Sequence, residues 1–123
     1  MPFAPIVMEE YFDEIFLNTK SKYSAEFMTI CYDTKESWIE KIPAVVQKSD
    51  KTARPQLVRK NNLPDFWEIL NEYNLLTGIP VLLNTSFNLH NQPIINSPKE
   101  AFLCLKNNIV DKIIIEDYVY SNR

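Results

Sequence analysis

An unbroken apolar run, Ile79 to Leu83, ends without transition in the row Asn84-Thr85-Ser86-Phe87-Asn88. The run has the length and composition of a strand buried on both faces, and Gly78, the one glycine of the chain, stands just before it. In open α/β sheets ligands bind beyond the carboxyl ends of such strands, where side chains leave the core without leaving the scaffold. Asn84, Ser86 and Asn88, with Thr85 between them, are therefore the first site candidates. The alternative is a polar turn that only caps the strand, because Asn, Thr and Ser are common turn formers.

The run is preceded by a clear helix pattern. Asn62 is placed to cap and Pro64 suits a first turn, and Phe66, Ile69, Leu70 and Tyr73 fall at i, i+3, i+4 and i+7. This predicts a helix over Leu63 to Leu76 with those residues on its buried face, ended by Gly78 in a left-handed conformation. After the run, Phe87 to Asn91 reads as a loop and Pro93 to Ile95 as a short extended piece. Ser97-Pro98-Lys99-Glu100 has the form of a capping box opening a helix to Asn107 or Asn108. Ile113-Ile114-Ile115 predicts another buried strand, with Tyr118-Val119-Tyr120 returning after a bend at Glu116-Asp117.

The first half is less regular. Val7, Tyr11, Phe12, Ile15 and Phe16 sit near helical spacing among acidic residues, which places an amphipathic helix within Phe3 to Asn18. Ala25 to Tyr32 alternates as a half-buried strand and Ile42 to Gln47 reads as another; Asp33 to Lys41 fits a loop or a short helix. Strands alternating with two clear helices predict an α/β (α+β) domain with a mixed sheet carrying helices.

At 123 residues the chain is expected to be a single domain, and 46% hydrophobic with 24% charged residues excludes a disordered tail. No apolar run approaches the ~20 residues that span a bilayer, and the first residues lack a signal-peptide pattern, so a cytoplasmic protein is expected. Cys31 and Cys104 fit no metal or redox spacing and read as buried free thiols. A metal site is not expected, since a lone His90 and two distant cysteines do not supply a ligand set. With one glycine there is no Gly-rich phosphate loop.

The net charge of -3 argues against nucleic acid as partner, yet Lys48, Lys51, Arg54, Arg59 and Lys60 face only Asp50 within one short segment. That asymmetry suits a small anionic ligand or local salt bridges better than a polyanion. Arg54 is the strongest candidate, because a guanidinium grips two phosphate oxygens at once and stays charged. Pro55 holds it extended, with Thr52 and Gln56 as polar neighbours on alternate positions. A structural arginine paired with a carboxylate is the competing reading.

Three blocks, Ile42-Pro43-Ala44-Val45-Val46-Gln47 leading to Thr52-Ala53-Arg54-Pro55-Gln56, then Thr77 to Asn88, then Gln92 to Ala101, follow one another in order. Together they resemble the C-terminal, YrdC-like domain of the O-carbamoyltransferases that modify antibiotics and nodulation factors, over essentially the whole chain. The resemblance implies a domain that activates carbamoyl phosphate with ATP and Mg²⁺ to carbamoyl-adenylate, for transfer to an acceptor hydroxyl in a separate metal-binding N-terminal domain. It implies that Arg54, with Thr52 beside it, binds phosphate. Asn84, Ser86 and Asn88 would shape the nucleotide or carbamoyl pocket, with His90 as a further phosphate contact or a surface turn histidine.

The chain departs from the family pattern at Lys51 and Asn91, where glycine is usual, and at Gln92, where a glutamate is usual. Asn91 can keep the turn by adopting a left-handed conformation. The family's upstream "GPRALG-x-RS" stretch has no counterpart, so Met1-Pro2-Phe3-Ala4-Pro5 reads as an interior segment of a fold incomplete at its N-terminus. The chain alone is then not expected to turn over. The alternative is a non-catalytic solo or split-gene module that binds a nucleotide, forms a homo-oligomer, or docks onto a partner supplying the missing piece.

Overall fold

The computed structural model describes residues 3–122. Backbone contacts group them into two compact units, Met1–Thr85 and Ser86–Arg123, and each is described by itself.

The first unit is built on a three-stranded mixed sheet in the order β4-β1-β5. β1 (Ala4–Met8) runs parallel to β4 (Gln56–Val58) and antiparallel to β5 (Val81–Asn84). The mixed α+β architecture expected from the sequence is thus present, but its central strand lies where a helix was expected. The chain turns helical only at Glu9, giving the short α1 (Glu9–Ile15). Every residue of β1 is buried, so its side chains show no two-faced alternation, and the following helix lends its period to the whole stretch. Pro5 is accommodated in this central strand because the β4 ladder begins only at Ile6, where Ile6 opposes Gln56. Its missing donor falls outside that ladder.

The apolar residues of β1 and β4 divide between two clusters. Val7 and Leu57 pack with Phe12, Ile15, Phe16, Tyr32 and Trp38, while Ile6, Met8 and Val58 pack with Leu70. Burying a side chain of this size contributes about 1.5–3 kcal/mol, so the two clusters anchor α1 and α3 (Pro64–Thr77) to the sheet.

Helix α3 starts and stops as its sequence predicts, with Pro64 in the first turn and Gly78 at φ 71° after the last. Two details differ. Leu63 and not Asn62 occupies the cap, since Asn62 donates its amide to Glu26 instead, at 3.1 Å. Of the expected apolar face only Leu70 is buried, whereas Phe66 and Ile69 remain about half exposed. The helix is rotated so that Trp67, Leu70 and Asn74 meet the sheet and Tyr11. Period alone fixes a stripe and not which edge of it docks.

Other strands expected from the sequence are turns. Ala25 to Tyr32 contributes a 3₁₀ turn, Tyr23–Phe27, and only Tyr32–Asp33 is extended, as β2 pairing β3 (Thr52–Ala53). Ile42 to Gln47 is also not a strand. Ile42 donates to Trp38 and Val45 to Ile42, closing turns that bury Ile42, Val45 and Val46 without a ladder. The ambiguous Asp33 to Lys41 segment contains α2 (Glu36–Ile39), with Trp38 buried. β5 is an edge strand, and Leu83 is 44% exposed, so the run is not buried on both faces.

The second unit pairs α4 (Pro98–Lys106) with a hairpin of β6 (Lys112–Ile115) and β7 (Tyr118–Ser121). Its capping box forms, Ser97 Oγ accepting from Glu100 N and Glu100 Oε2 accepting from Asn96 N. Ile113 is buried against Ala101 and Leu105 while Ile114 is 65% exposed. This strand therefore has one buried face and not two.

Candidate functional site

The basic segment folds as the sequence demands around two fixed points. Asp50 Oδ1 accepts from both the backbone N–H and the hydroxyl of Thr52, at 3.1 and 2.9 Å. Gln47 and Thr52 close the loop with a 2.7 Å backbone bond from Gln47 N to Thr52 O. This forces Lys51 to φ 58°, the left-handed region, which costs a non-glycine residue about 1–2 kcal/mol. Glycine, usual at this position in the resembling family, takes up that conformation without the strain. The Lys51 ammonium reaches Glu36 at 3.0 Å across an exposed surface.

Pro55 keeps the next residues extended. Ala53, Pro55 and Leu57 point inward and are buried, while Thr52, Arg54 and Gln56 face outward. Thr52 and Arg54 share a cavity of about 200 Å³ with Phe3, Ala4, Cys31 and Asp50. Among the described residues Arg54 meets no carboxylate. Its one hydrogen bond there is a long one, Nη1 to the carbonyl of Met28 at 3.4 Å. A guanidinium with five donors and one weak acceptor retains most of its capacity for an anion.

Arg59, in the same basic segment, is used differently. Its Nε donates to Glu9 Oε1 at 2.8 Å and its Nη1 donates to Glu26 Oε1. The hydrogen bond to Glu9, foremost, and the charges of Glu9 and Glu26 hold its guanidinium above the ordinary arginine range. Lys60 lies over the Trp67 ring, 4.2 Å from its centroid. The expected local pairing is thus found at Arg59, while Arg54 has no carboxylate partner among the described residues.

Asn84 closes β5 opposite Ala4 of β1. Its amide nitrogen donates to Gln56 Oε1 at 2.9 Å and approaches Met28 Sδ at 3.6 Å. Met28 thus touches Arg54 through its carbonyl and Asn84 through its thioether, bringing these two predicted residues to one place. Met28 itself stands at φ 54° after the 3₁₀ turn. Nothing in its residue type announces that position. Cys31, expected to be buried, is exposed at the Arg54 cavity, whereas Cys104 is buried as expected.

Ser86, Asn88 and His90 belong to the second unit. Ser86 Oγ donates to Asn88 Oδ1, and Asn88 Nδ2 donates to the carbonyls of Leu89 and Gln92 at 2.9 and 3.1 Å. Asn88 is thereby the staple of its loop. Asn91 adopts φ 64°, the left-handed turn expected of it, and His90 is exposed.

No helix among the described residues is long and apolar enough to cross a membrane. An uncharacterized protein of Methanocaldococcus jannaschii is 37% identical over 121 residues, spanning 98% of this chain and 23% of that protein. Nodulation protein NolNO of Sinorhizobium fredii is 35% identical over 122 residues, 99% of this chain and 18% of its own length. Nodulation protein U of Rhizobium tropici is 42% identical over 90 residues, 72% of this chain and 15% of its own. The chain therefore spans less than a quarter of the length of each of these relatives. A sequence model described as Carbamoyltransferase C-terminus matches residues 1–122. With the ordered blocks around Arg54 and Asn84 falling inside one such match, the chain belongs to the carbamoyltransferase C-terminus family.

Proposed function

We propose that this chain is the part of a carbamoyltransferase that holds carbamoyl phosphate and ATP while the carbamoyl group is activated. The observation that carries the proposal is Arg54, a guanidinium without a carboxylate partner among the described residues, on a cavity shared with Thr52 and beside Asn84. Carbamoyl phosphate would lose its phosphate with uptake of one water. The carbamate formed would then attack the α-phosphorus of ATP, giving carbamoyl-adenylate and releasing pyrophosphate. Each step works on an anion, and a fixed cation with neighbouring hydroxyl and amide groups is what positioning and charge stabilisation require. Mg²⁺ would arrive with the nucleotide. Transfer to an acceptor hydroxyl belongs to a separate domain, and dependence on ATP would place the activity in the cytoplasm.

Calorimetric titration of the purified chain with MgATP, with and without carbamoyl phosphate, tests this reading. Binding is expected to fall at least about 10-fold in Arg54→Ala, the effect of losing a charged hydrogen bond. Unchanged affinity in that variant would refute the site.

A second reading, a module that docks onto a partner supplying the rest of the enzyme, is favoured by the outer side of α3. There Phe66 is 50%, Ile69 47% and Leu76 84% exposed. Sedimentation of a monomer at all concentrations, with no gain of binding on adding the remaining portion of a relative such as NolNO, would exclude it.

A further inference from the structure

The side-chain amides of Gln56 and Asn84 have an inner edge and an outer edge. On the inner edge Asn84 directs its amide hydrogens to Gln56 Oε1, at 2.9 Å, and to Met28 Sδ, at 3.6 Å. The Met28 thioether, which can only accept, turns the Asn84 NH₂ inward, and Gln56 then meets that NH₂ with its oxygen. On the outer edge remain Gln56 Nε2, a donor, and Asn84 Oδ1, an acceptor. Among the described residues neither atom makes a hydrogen bond.

Both side chains are half-buried and line a cavity of about 120 Å³ walled by Ile6, Val58, Leu63 and Phe66. The cavity has room for a few heavy atoms and is otherwise apolar. A donor beside an acceptor on one rim is the complement of a primary carboxamide or carbamoyl group, whose oxygen accepts while its NH₂ donates. A phosphate or carboxylate offers acceptors only and would face Asn84 Oδ1 unfavourably. The anion end of such a ligand has its own partner close by, because Met28 touches Asn84 through its sulfur and Arg54 through its carbonyl.

We infer that Gln56, with Asn84, reads the carbamoyl group of the substrate by its amide character, while Arg54 takes the phosphoryl end. This rests on the anion site proposed above. Asn84 Oδ1 is the discriminating atom, since it alone meets the NH₂, and Gln56 is its positioning residue, whose oxygen orients Asn84 while its nitrogen donates to the carbonyl that any acyl phosphate carries. The discrimination follows from chemistry. Acetyl phosphate has the same carbonyl and phosphoryl groups but a methyl in place of NH₂, and it leaves the half-buried Asn84 Oδ1 unpaired. Such a loss corresponds to roughly 10-fold in affinity.

The test is an NMR titration of the ¹⁵N-labelled chain, followed through backbone and side-chain amide resonances, with carbamoyl phosphate, acetyl phosphate and inorganic phosphate. The unmodified chain is expected to bind carbamoyl phosphate about 10-fold more tightly than acetyl phosphate, with the Gln56 and Asn84 NH₂ signals shifting only for the former. In Gln56→Met the preference is expected to fall below about 2-fold while inorganic phosphate binds as before. Asn84→Leu removes the oxygen that accepts from the carbamoyl NH₂, so it must lose the preference too, even if Gln56→Met disturbs the fold. Equal binding of the two acyl phosphates by the unmodified chain, or a preference that survives in Asn84→Leu, overturns the inference and leaves the Arg54 anion site standing. Absence of all three ligands from the unmodified chain overturns the anion site and the inference with it.

Discussion

Arg54 and Arg59 stand on one extended segment, have the same side chain, and meet opposite surroundings. Arg59 is clamped between Glu9 and Glu26, and Asn62 secures the far oxygen of Glu26. The clamp fastens the end of β4 to the start of α1 and to the 3₁₀ turn, so it belongs to the scaffold. Arg54 faces a cavity and touches one backbone carbonyl. A guanidinium's role is set by which carboxylates the fold delivers to it. Arg59 receives its partners from positions 50 and 33 residues away in sequence.

The largest effect is expected at Arg59. Arg59→Met leaves two carboxylates facing each other without their cation and should destabilise the chain by about 2–3 kcal/mol, read from urea unfolding. Its counterpart Arg54→Ala should shift stability by less than about 0.5 kcal/mol while weakening ATP or carbamoyl phosphate binding. If the two substitutions destabilise equally, the distinction between clamp and site fails.

Lys51 sharpens the contrast from the site side. Its left-handed backbone at φ 58° is a strain that glycine does not have. Lys51→Gly should raise stability by about 1 kcal/mol and leave ligand binding by Arg54 intact, since only the exposed Glu36 pair is lost. A destabilised variant would mean that this pair outweighs the strain.

The smallest effect lies away from both arginines. The backbone N–H of Asn96, followed by the Ser97 hydroxyl, holds the Glu100 carboxyl below the ordinary glutamate range. A folded-state pKa below the unfolded one contributes stability that is complete above the unfolded value. That contribution is lost as pH falls from about 4.3 through the folded value. Protection of α4 amides from hydrogen exchange should therefore drop with acid in the unmodified chain. The drop should be shallower in Glu100→Gln, with the Arg59 clamp region unchanged between the two. An identical acid response in both chains would remove the capping box from the account.

Helices α3 and α4 were legible because their signals are local. Proline in the first turn, glycine after the last, and Ser97 facing Glu100 act within a few residues of one another. The outward side of the 52–56 segment was legible for the same reason, since Pro55 fixes the backbone and alternation does the rest. β1 was not, because a strand is made by its partners. The residues opposite Ala4 to Met8 lie in β4 and β5, and a fully buried strand shows no alternation to read. Ile42 to Gln47 misled in the reverse direction, being apolar because it is buried and not because it is paired.

By itself, then, the sequence determined the family, the two long helices, the turn at Asn91 and the candidacy of Arg54, Thr52 and Asn84. Only the tertiary structure decided that Glu9 and Glu26 pair with Arg59, that Arg54 and the outer donor of Gln56 meet no carboxylate or acceptor side chain among the described residues, and that Met28 links Arg54 to Asn84. Backbone preferences act over a few residues and are written in them. Electrostatic pairing and hydrogen-bond complementarity act through space, between groups that the sequence keeps far apart.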